Sequence, residues 1–443
     1  MKKKLSPYMI MIIGFVAVIL IGTGLLLLPF ATKEGITLSF IDAIFTATSA
    51  VCVTGLVSVS SIASVYTVFG KIVIALLIEI GGLGFITIVI FIFSVLGIKI
   101  GMADRFLVKE SLNQNSLKGM VRLVRTTIFI TLVVQTAGAI INFIVFIQDY
   151  PFWDAIGISV FHSISAFNNA GFDLLGSSSL ISYTDNVLLN LNTMALVILG
   201  GIGFIVIYDV LKNRQWNELS IHSQIVLKTS AFLIILGAIA LKLFEGANIG
   251  WLEAFFNSVT ARTAGFSTIN FDFLSNSSLL IIMILMYIGA SPSSAGGGIK
   301  TTTFYTIFKY IFSFARHKVP LTHHRKIANS SISKAIVLVV FSLSYIFMAI
   351  LLVNAIEAKH FIETSNQHHF FTQVVFEVFS AFGTVGNSMG ITKGLSGASK
   401  LVICLTMLLG RIGPITVITA FGRNVNVENV HGIKYIDERI IIG

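Results

Sequence analysis

Charge is what this sequence lacks most. Only 11% of its 443 residues are Asp, Glu, Lys or Arg, against 55% hydrophobic residues and a mean hydropathy of +0.91. So few charges cannot cover a soluble globule of this length, which excludes a water-soluble domain and implies a polytopic membrane protein. Cysteine is nearly absent. Cys52 and Cys404, both in apolar surroundings, make neither a disulfide framework nor a zinc site. No HExxH string and no DxxD cluster lies in an apolar run, so a membrane-embedded transferase or protease, the runner-up reading, has little chemistry to work with. A small-residue cleavage site is missing as well. Lys2, Lys3 and Lys4 precede the apolar run 8–30 in the manner of a secretory signal, but that run is too long for one and is expected to stay as a first helix.

What is present is repetition. The phrases FTATSAVCVTGL, FHSISAFNNAGF, FFNSVTARTAGF and FEVFSAFGTVGN begin at Phe45, Phe161, Phe255 and Phe376, and each runs from a Phe through Ser, Thr and Ala to a Gly. The glycines are Gly55, Gly171, Gly265 and Gly386, spaced by 116, 94 and 121 residues; the Phe255–Phe256 doublet leaves the third copy ambiguous by one. Periodicity on this scale organises a whole fold. Each copy sits between two long apolar runs: 8–30 and 67–96, 126–147 and 187–211, 225–244 and 279–314, 335–356 and 401–421. The shorter amphipathic stretch that ends in each phrase, between the members of the pair, is too short to cross a bilayer alone, as suits a re-entrant pore helix. The expected architecture is therefore an all-α polytopic membrane protein of four pseudo-repeated units, each a span, pore helix, filter and span, around a central pore. The units are residues 1–98, 99–212, 213–314 and 315–423, followed by a tail, 424–443.

The basic residues test this layout. Of 30 Lys and Arg, 21 fall in the amino terminus, the segments 99–125, 212–228 and 309–334, and the residues after Phe421; six fall on the opposite side, at Lys33, Lys71, Lys242, Lys359, Lys393 and Lys400. That bias places both termini in the cytoplasm. The formal charge of +10 is then mostly a topology signal and a surface facing anionic lipid, and nucleic acid is not a partner. Arg262, Lys300 and Arg411 remain at membrane depth.

A cation crossing a membrane must exchange its water shell for other oxygens, and rings of backbone carbonyls supply them without a charged side chain. Irregular backbone is tolerated at that depth only where it lines protein or a cavity. Glycine permits the turn with positive φ and no β-carbon in the way. One such phrase would read as ordinary close packing of membrane helices. Four at matching places read as four filter segments around one axis.

VCVTGL, NNAGF, RTAGF and GTVGN, set in four span–pore helix–filter–span units, resemble the Trk/Ktr/HKT superfamily of potassium transporters, and the length and the ending DERIIIG are most similar to the membrane subunits of its Ktr systems. The resemblance covers essentially the whole chain. It implies that Gly55, Gly171, Gly265 and Gly386 are filter glycines and that Val53, Thr54, Asn169, Ala170, Thr263, Ala264, Thr384 and Val385 offer carbonyls to K+. In the family a Ser in the first filter goes with sodium preference, so Gly at 55 points to potassium, with channel-like transport and coupling to Na+ both left open. It further implies a bacterial plasma membrane, a homodimer, and an octameric KtrA-like ring of RCK subunits that carries the regulatory nucleotide, which is not bound by this chain. The basic segments 99–125 and 309–334 and the strand-prone tail are the available docking surface.

Three further features call for a reading. IGGLGF at 80–85, LGGIGF at 199–204 and LGRIGP at 409–414 are read as glycines packing helices closely, since no strand precedes them as a dinucleotide fingerprint would require. Run 279–314 departs, with YIGASPSSAGGGIKT breaking the helix around Ser291, Pro292, Ser293, Ser294, Ala295, Gly296, Gly297 and Gly298. A plain kink is one reading. The other is a loop with unsatisfied backbone groups that blocks a cavity, and in the family the corresponding segment is an intramembrane gate. Arg411 is expensive inside a span, and its expected partners are carbonyls of the 291–298 loop, with a satisfied structural cation as the alternative. Lys300 is expected to reach toward the cytoplasmic side, and Arg262 to fix the third pore helix outside the ion path. Asp42, Asp154 and Glu253 open pore helices, where a carboxylate caps the amino terminus or attracts cations.

Overall fold

The computed structural model describes residues 6–111, 119–176, 179–323, 325–361 and 367–421. The tail 424–443, Lys2 to Lys4 and part of segment 99–125 lie outside the described residues. Four helices are long and apolar enough to cross a bilayer: α1 (Pro7–Leu26), α5 (Met120–Phe146), α9 (Ile221–Glu245) and α13 (Asn329–Phe361). Each is followed by a short helix: α2 (Phe40–Val51), α6 (Phe152–Phe167), α10 (Trp251–Thr260) and α14 (Gln367–Gly383). A pair of helices then completes each group: α3 (Val68–Leu83) with α4 (Phe85–Val95), α7 (Val187–Gly201) with α8 (Phe204–Asn213), α11 (Asn276–Tyr287) with α12 (Thr301–Ala315), and α15 (Gly397–Ile412) with α16 (Pro414–Phe421). The described residues are mostly helical, as expected, with one hairpin of two-residue strands, Leu321–Thr322 with Arg325–Lys326. It is a multi-pass membrane protein.

Local chemistry sets these boundaries. Thr67, Asn186, Ser275 and Ser396 each use a side-chain oxygen to accept an amide of the first turn of α3, α7, α11 and α15, filling one of the orphan donors every helix start carries. Two of these caps are themselves held: Glu245 and Glu357, near the ends of α9 and α13, each accept both the N–H and the hydroxyl of Ser275 and Ser396. At the start of α10 Glu253 accepts the Gly250 amide at 2.5 Å, the capping role considered for it.

The long helices face outward, with Leu20, Ile21, Phe129, Phe347 and Leu351 all more than half exposed, as a lipid-facing surface requires. Their small residues turn inward. Gly22 lies against Leu77, Gly138 against Leu196 and Gly237 against Leu285. In lipid such contacts hold helices together by van der Waals packing rather than by burial from water. The short helices sit inside this wall. In α2 every residue from Ala43 to Val51 except Ile44 is buried.

Three runs read above as continuous spans are bent. The pairs α3/α4, α7/α8 and α15/α16 turn by 93°, 97° and 93°. The hinge is the last glycine of each string: Gly84, Gly203 and Gly413 have φ of +81°, +96° and +89° and stand between one helix and the next. The first glycine does pack closely, as expected. Gly81, Gly200 and Gly410 stand against the carbonyls of Val51, Phe167 and Phe382, at the ends of α2, α6 and α14. The broken run between α11 and α12 is thus less exceptional than its sequence suggests. It leaves the helix where its siblings bend, and differs by adding a loop.

Candidate functional site: a ring of four glycines and the loop beside it

The ends of the four short helices meet. A β-carbon built on Gly55 would stand 2.5 Å from the Ala170 carbonyl and one on Gly171 2.7 Å from that of Ala264; those on Gly265 and Gly386 would collide with the carbonyls of Val385 and Thr54. Each glycine therefore faces the oxygen of the residue preceding the next glycine, and the series closes on itself: 55, 171, 265, 386 and back to 55. All four have positive φ, from +69° to +99°. Two residues earlier Val53, Asn169 and Thr384 also have positive φ, of 49°, 57° and 50°, whereas Thr263 does not. The third segment differs because α10 stops at Thr260, whose carbonyl accepts both the Ala264 and Gly265 amides. Val53, Thr54, Asn169, Ala170, Thr263, Ala264, Thr384 and Val385 are each at most 2% exposed.

A serine six residues before the glycine holds three of the segments. Ser49 accepts the Thr54 amide on its carbonyl and the Gly55 amide on its hydroxyl, at 2.8 and 3.1 Å. Ser380 does the same for Val385 and Gly386 at 2.9 and 3.0 Å, and the Ser165 carbonyl accepts from Ala170 at 2.8 Å. These serines stood in the repeated phrase, but their fixed distance from the glycine was the signal, and it was not read. A second tier lies one helical turn further back. Tyr66 donates to Thr46 at 3.3 Å, His162 pairs with Thr193 at 2.9 Å, Asn257 pairs with Ser267 and Thr268 at 3.3 and 2.9 Å, and the carboxylate of Glu377 accepts from Ser388 at 2.7 Å and from Thr392. Asn257 and Glu377 so tie the chain just beyond the ring to their own short helices.

On one side of the ring opens a cavity of about 480 Å³ lined by the four glycines and by residues that follow them, including Asp173, Asp272 and Lys393. On the other side lies the 291–298 loop. Gly296 sits against Thr263, and Gly297 donates to the Thr384 hydroxyl at 3.0 Å. The expectation of unsatisfied backbone in this loop is corrected. Ser291 and Ala295 donate to the Gly201 and Gly200 carbonyls at 3.0 and 3.1 Å, the Ser293 carbonyl accepts from Phe204 at 2.9 Å, and Ala290 donates to Gly297 at 3.2 Å. The Ser294 hydroxyl returns to the Ser291 carbonyl at 2.6 Å, and the Pro292 carbonyl packs against Gly203.

The three basic residues at membrane depth converge here. Arg411 donates to the Ala295 carbonyl, as expected of it, and also to Gly81 and Gly82, the latter at 2.9 Å. Lys300 folds back onto the loop and donates to Gly296 at 2.7 Å instead of reaching outward. Arg262 lies just past the end of α10, not within it, and donates to Gly289 at 3.3 Å. Among the described residues, none of the three has a carboxylate within ion-pair distance.

The TrkH family, described as cation transport protein, matches residues 5–245 and 229–431. Ktr system potassium uptake protein B of Bacillus subtilis is 37% identical over 99% of this chain and 97% of its own length. The potassium/sodium uptake protein NtpJ of Enterococcus hirae is 38% identical over 100% and 98%. The crystal structure of the potassium transporter TrkH from Vibrio parahaemolyticus superposes with a TM-score of 0.70 over 95% of this chain and 86% of that one, at 17% identity, which is a likeness of fold. A membrane-embedded enzyme is thereby displaced, and the chain belongs to the TrkH family of cation transport proteins.

Proposed function

We propose that this chain takes up potassium across the plasma membrane through a pore filtered by the four glycine segments and gated by the 291–298 loop. The observation that carries the reading is the closed ring of glycines, each against the carbonyl preceding the next. The carbonyls of Thr54, Ala170, Ala264 and Val385, with those of Val53, Asn169, Thr263 and Thr384 one step behind, replace the water of a desolvated monovalent ion. The chain enters each filter segment from the carboxyl end of a short helix, so four negative helix poles face the ion. The cation is potassium by the names of the relatives and by glycine at 55; the Enterococcus hirae relative's name makes sodium the second ion to test.

In the closed state the loop blocks the pathway by its charge as well as its bulk. The carbonyls of Ala295 and Gly296 that a dehydrated ion would seek below the filter are already occupied by Arg411 and Lys300, and an approaching cation meets fixed positive charge. Opening requires Arg411 to leave Ala295. Control comes in trans. The Bacillus subtilis relative's name places it in a Ktr system, and this chain acts as a homodimer beneath an octameric KtrA-like ring of RCK subunits, which binds the nucleotide. The basic segments 99–125 and 309–334 are the docking surface offered to that ring and to anionic lipid, with both termini in the cytoplasm.

The test is Gly55→Ser, assayed in proteoliposomes for potassium against sodium uptake. A hydroxymethyl group at a site 2.5 Å from the Ala170 carbonyl should lower the potassium-to-sodium ratio by about tenfold, the effect of ~1.4 kcal/mol. An unchanged ratio rules out a filter at the ring.

A further inference from the structure

Arg262 has no task in this mechanism. It is 8% exposed, and the structure gives its Nη2 two partners, the Gly289 carbonyl at 3.3 Å and the Ser230 hydroxyl of α9 at 3.5 Å. Its Nε is buried and has no partner among the described residues. A guanidinium in this position is costly, and no carboxylate offsets it among the described residues. Merely bracing α10 would not require a charge. What the charge reaches is the neck of the loop. Ala290 donates to Gly297 and Ile299 donates to the Tyr287 carbonyl, so the two ends of the loop are pinned together beside Gly289. Gly289 itself touches the backbone of Gly297 and Gly298. A loop of this shape swings only if its neck opens. Arg262 holds that neck from the side of the ring, and the next residue, Thr263, is the filter position against which Gly296 rests. A small cavity of about 20 Å³ has Arg262, Thr263, Asn169 and Ala290 among its lining residues.

We propose that Arg262 is a positioning residue that latches the neck of the 291–298 loop to the third filter segment, so that filter and loop move together. The proposal rests on the reading of the loop as a gate, and its test separates the two. Ser294→Cys supplies a reporter thiol on the loop; the native Cys52 and Cys404 are buried, and the parent chain supplies the background. The rate of labelling by a membrane-impermeant thiol reagent in proteoliposomes reads the latch, and rubidium flux without regulatory subunits reads the gate. Arg262→Gln should raise the labelling rate about tenfold, the effect of losing one hydrogen bond to a charged group, and raise basal flux with it. Arg262→Lys, which keeps the charge but loses the planar fork, should fall between, and Ser230→Ala should give a smaller increase while leaving the guanidinium in place. These two variants decide the matter should Arg262→Gln fail to fold. Faster labelling with unchanged flux upholds the latch and removes the gate. Unchanged labelling in Arg262→Gln, when a chain lacking residues 292–297 leaks rubidium, overturns the latch and leaves the gate standing.

Discussion

At the scale of single residues, the ring depends on what glycine lacks. A β-carbon at any of the four positions would meet a carbonyl oxygen, and each backbone already holds a φ that other L-residues adopt at a cost of roughly 1–2 kcal/mol. Gly171 has the most room, so Gly171→Ala should retain more potassium uptake than Gly265→Ala or Gly386→Ala when all three are expressed at matched levels. Glu377 offers a second prediction. It holds Ser388 and Thr392 just beyond Gly386, is 1% exposed, and has no cationic partner among the described residues. Glu377→Ala leaves the buried Thr392 hydroxyl and the half-buried Ser388 hydroxyl without their shared acceptor, about 1–3 kcal/mol, and should lower potassium uptake and thermal stability in detergent together. Glu377→Gln, which keeps one acceptor oxygen, should recover most of the stability. The glycines were legible because they recur. Ser49 and Ser380 were hidden in the same phrase, since Ser, Thr and Ala look alike there until the amides they accept can be seen.

At the scale of elements, the long helices and the short helices were legible from length and hydropathy, and their observed bounds differ from the apolar runs by a few residues at each end. The bends at Gly84, Gly203 and Gly413 were not. Both arms of each pair are apolar, so hydropathy runs straight across the hinge, and the glycine string fits close packing as well as it fits a turn. Gly203→Ala tests the hinge: its β-carbon would stand 2.5 Å from the Pro292 carbonyl, so the substitution should displace the loop as well as strain the turn, and should change basal rubidium flux. The partners of Arg411 were half legible. Ala295 lies in the loop that sequence singled out, whereas Gly81 and Gly82 lie 330 and 329 residues away and no local pattern connects them. Arg411→Ala releases the loop from α3 and α15 at once, and its expected outcome is flux that no longer depends on the regulatory ring; flux and regulation both unchanged would exclude a gating role.

At the scale of the whole molecule, the first and last groups of helices must be joined for the ring to close. One join is the 2.9 Å ion pair between Lys400 at the start of α15 and Asp42 at the start of α2. It is largely shielded, so Lys400→Met should cost about 1–3 kcal/mol and lower the melting temperature in detergent while leaving potassium selectivity intact. Sequence placed both residues on the same side of the membrane, by the charge count and by the position before a pore helix, but could not pair them across 358 positions.

Closure within one polypeptide has a consequence for any assembly of this protein. Because Thr54 of the first segment meets Gly386 of the last, a subunit with the filter proposed above would own its conduit outright and borrow no oxygen from a neighbour. In a paired transporter, co-expression with a copy disabled at Gly386 should therefore yield hybrids that run at half speed, not silent ones, and a dominant-negative allele would have to act through the shared control machinery.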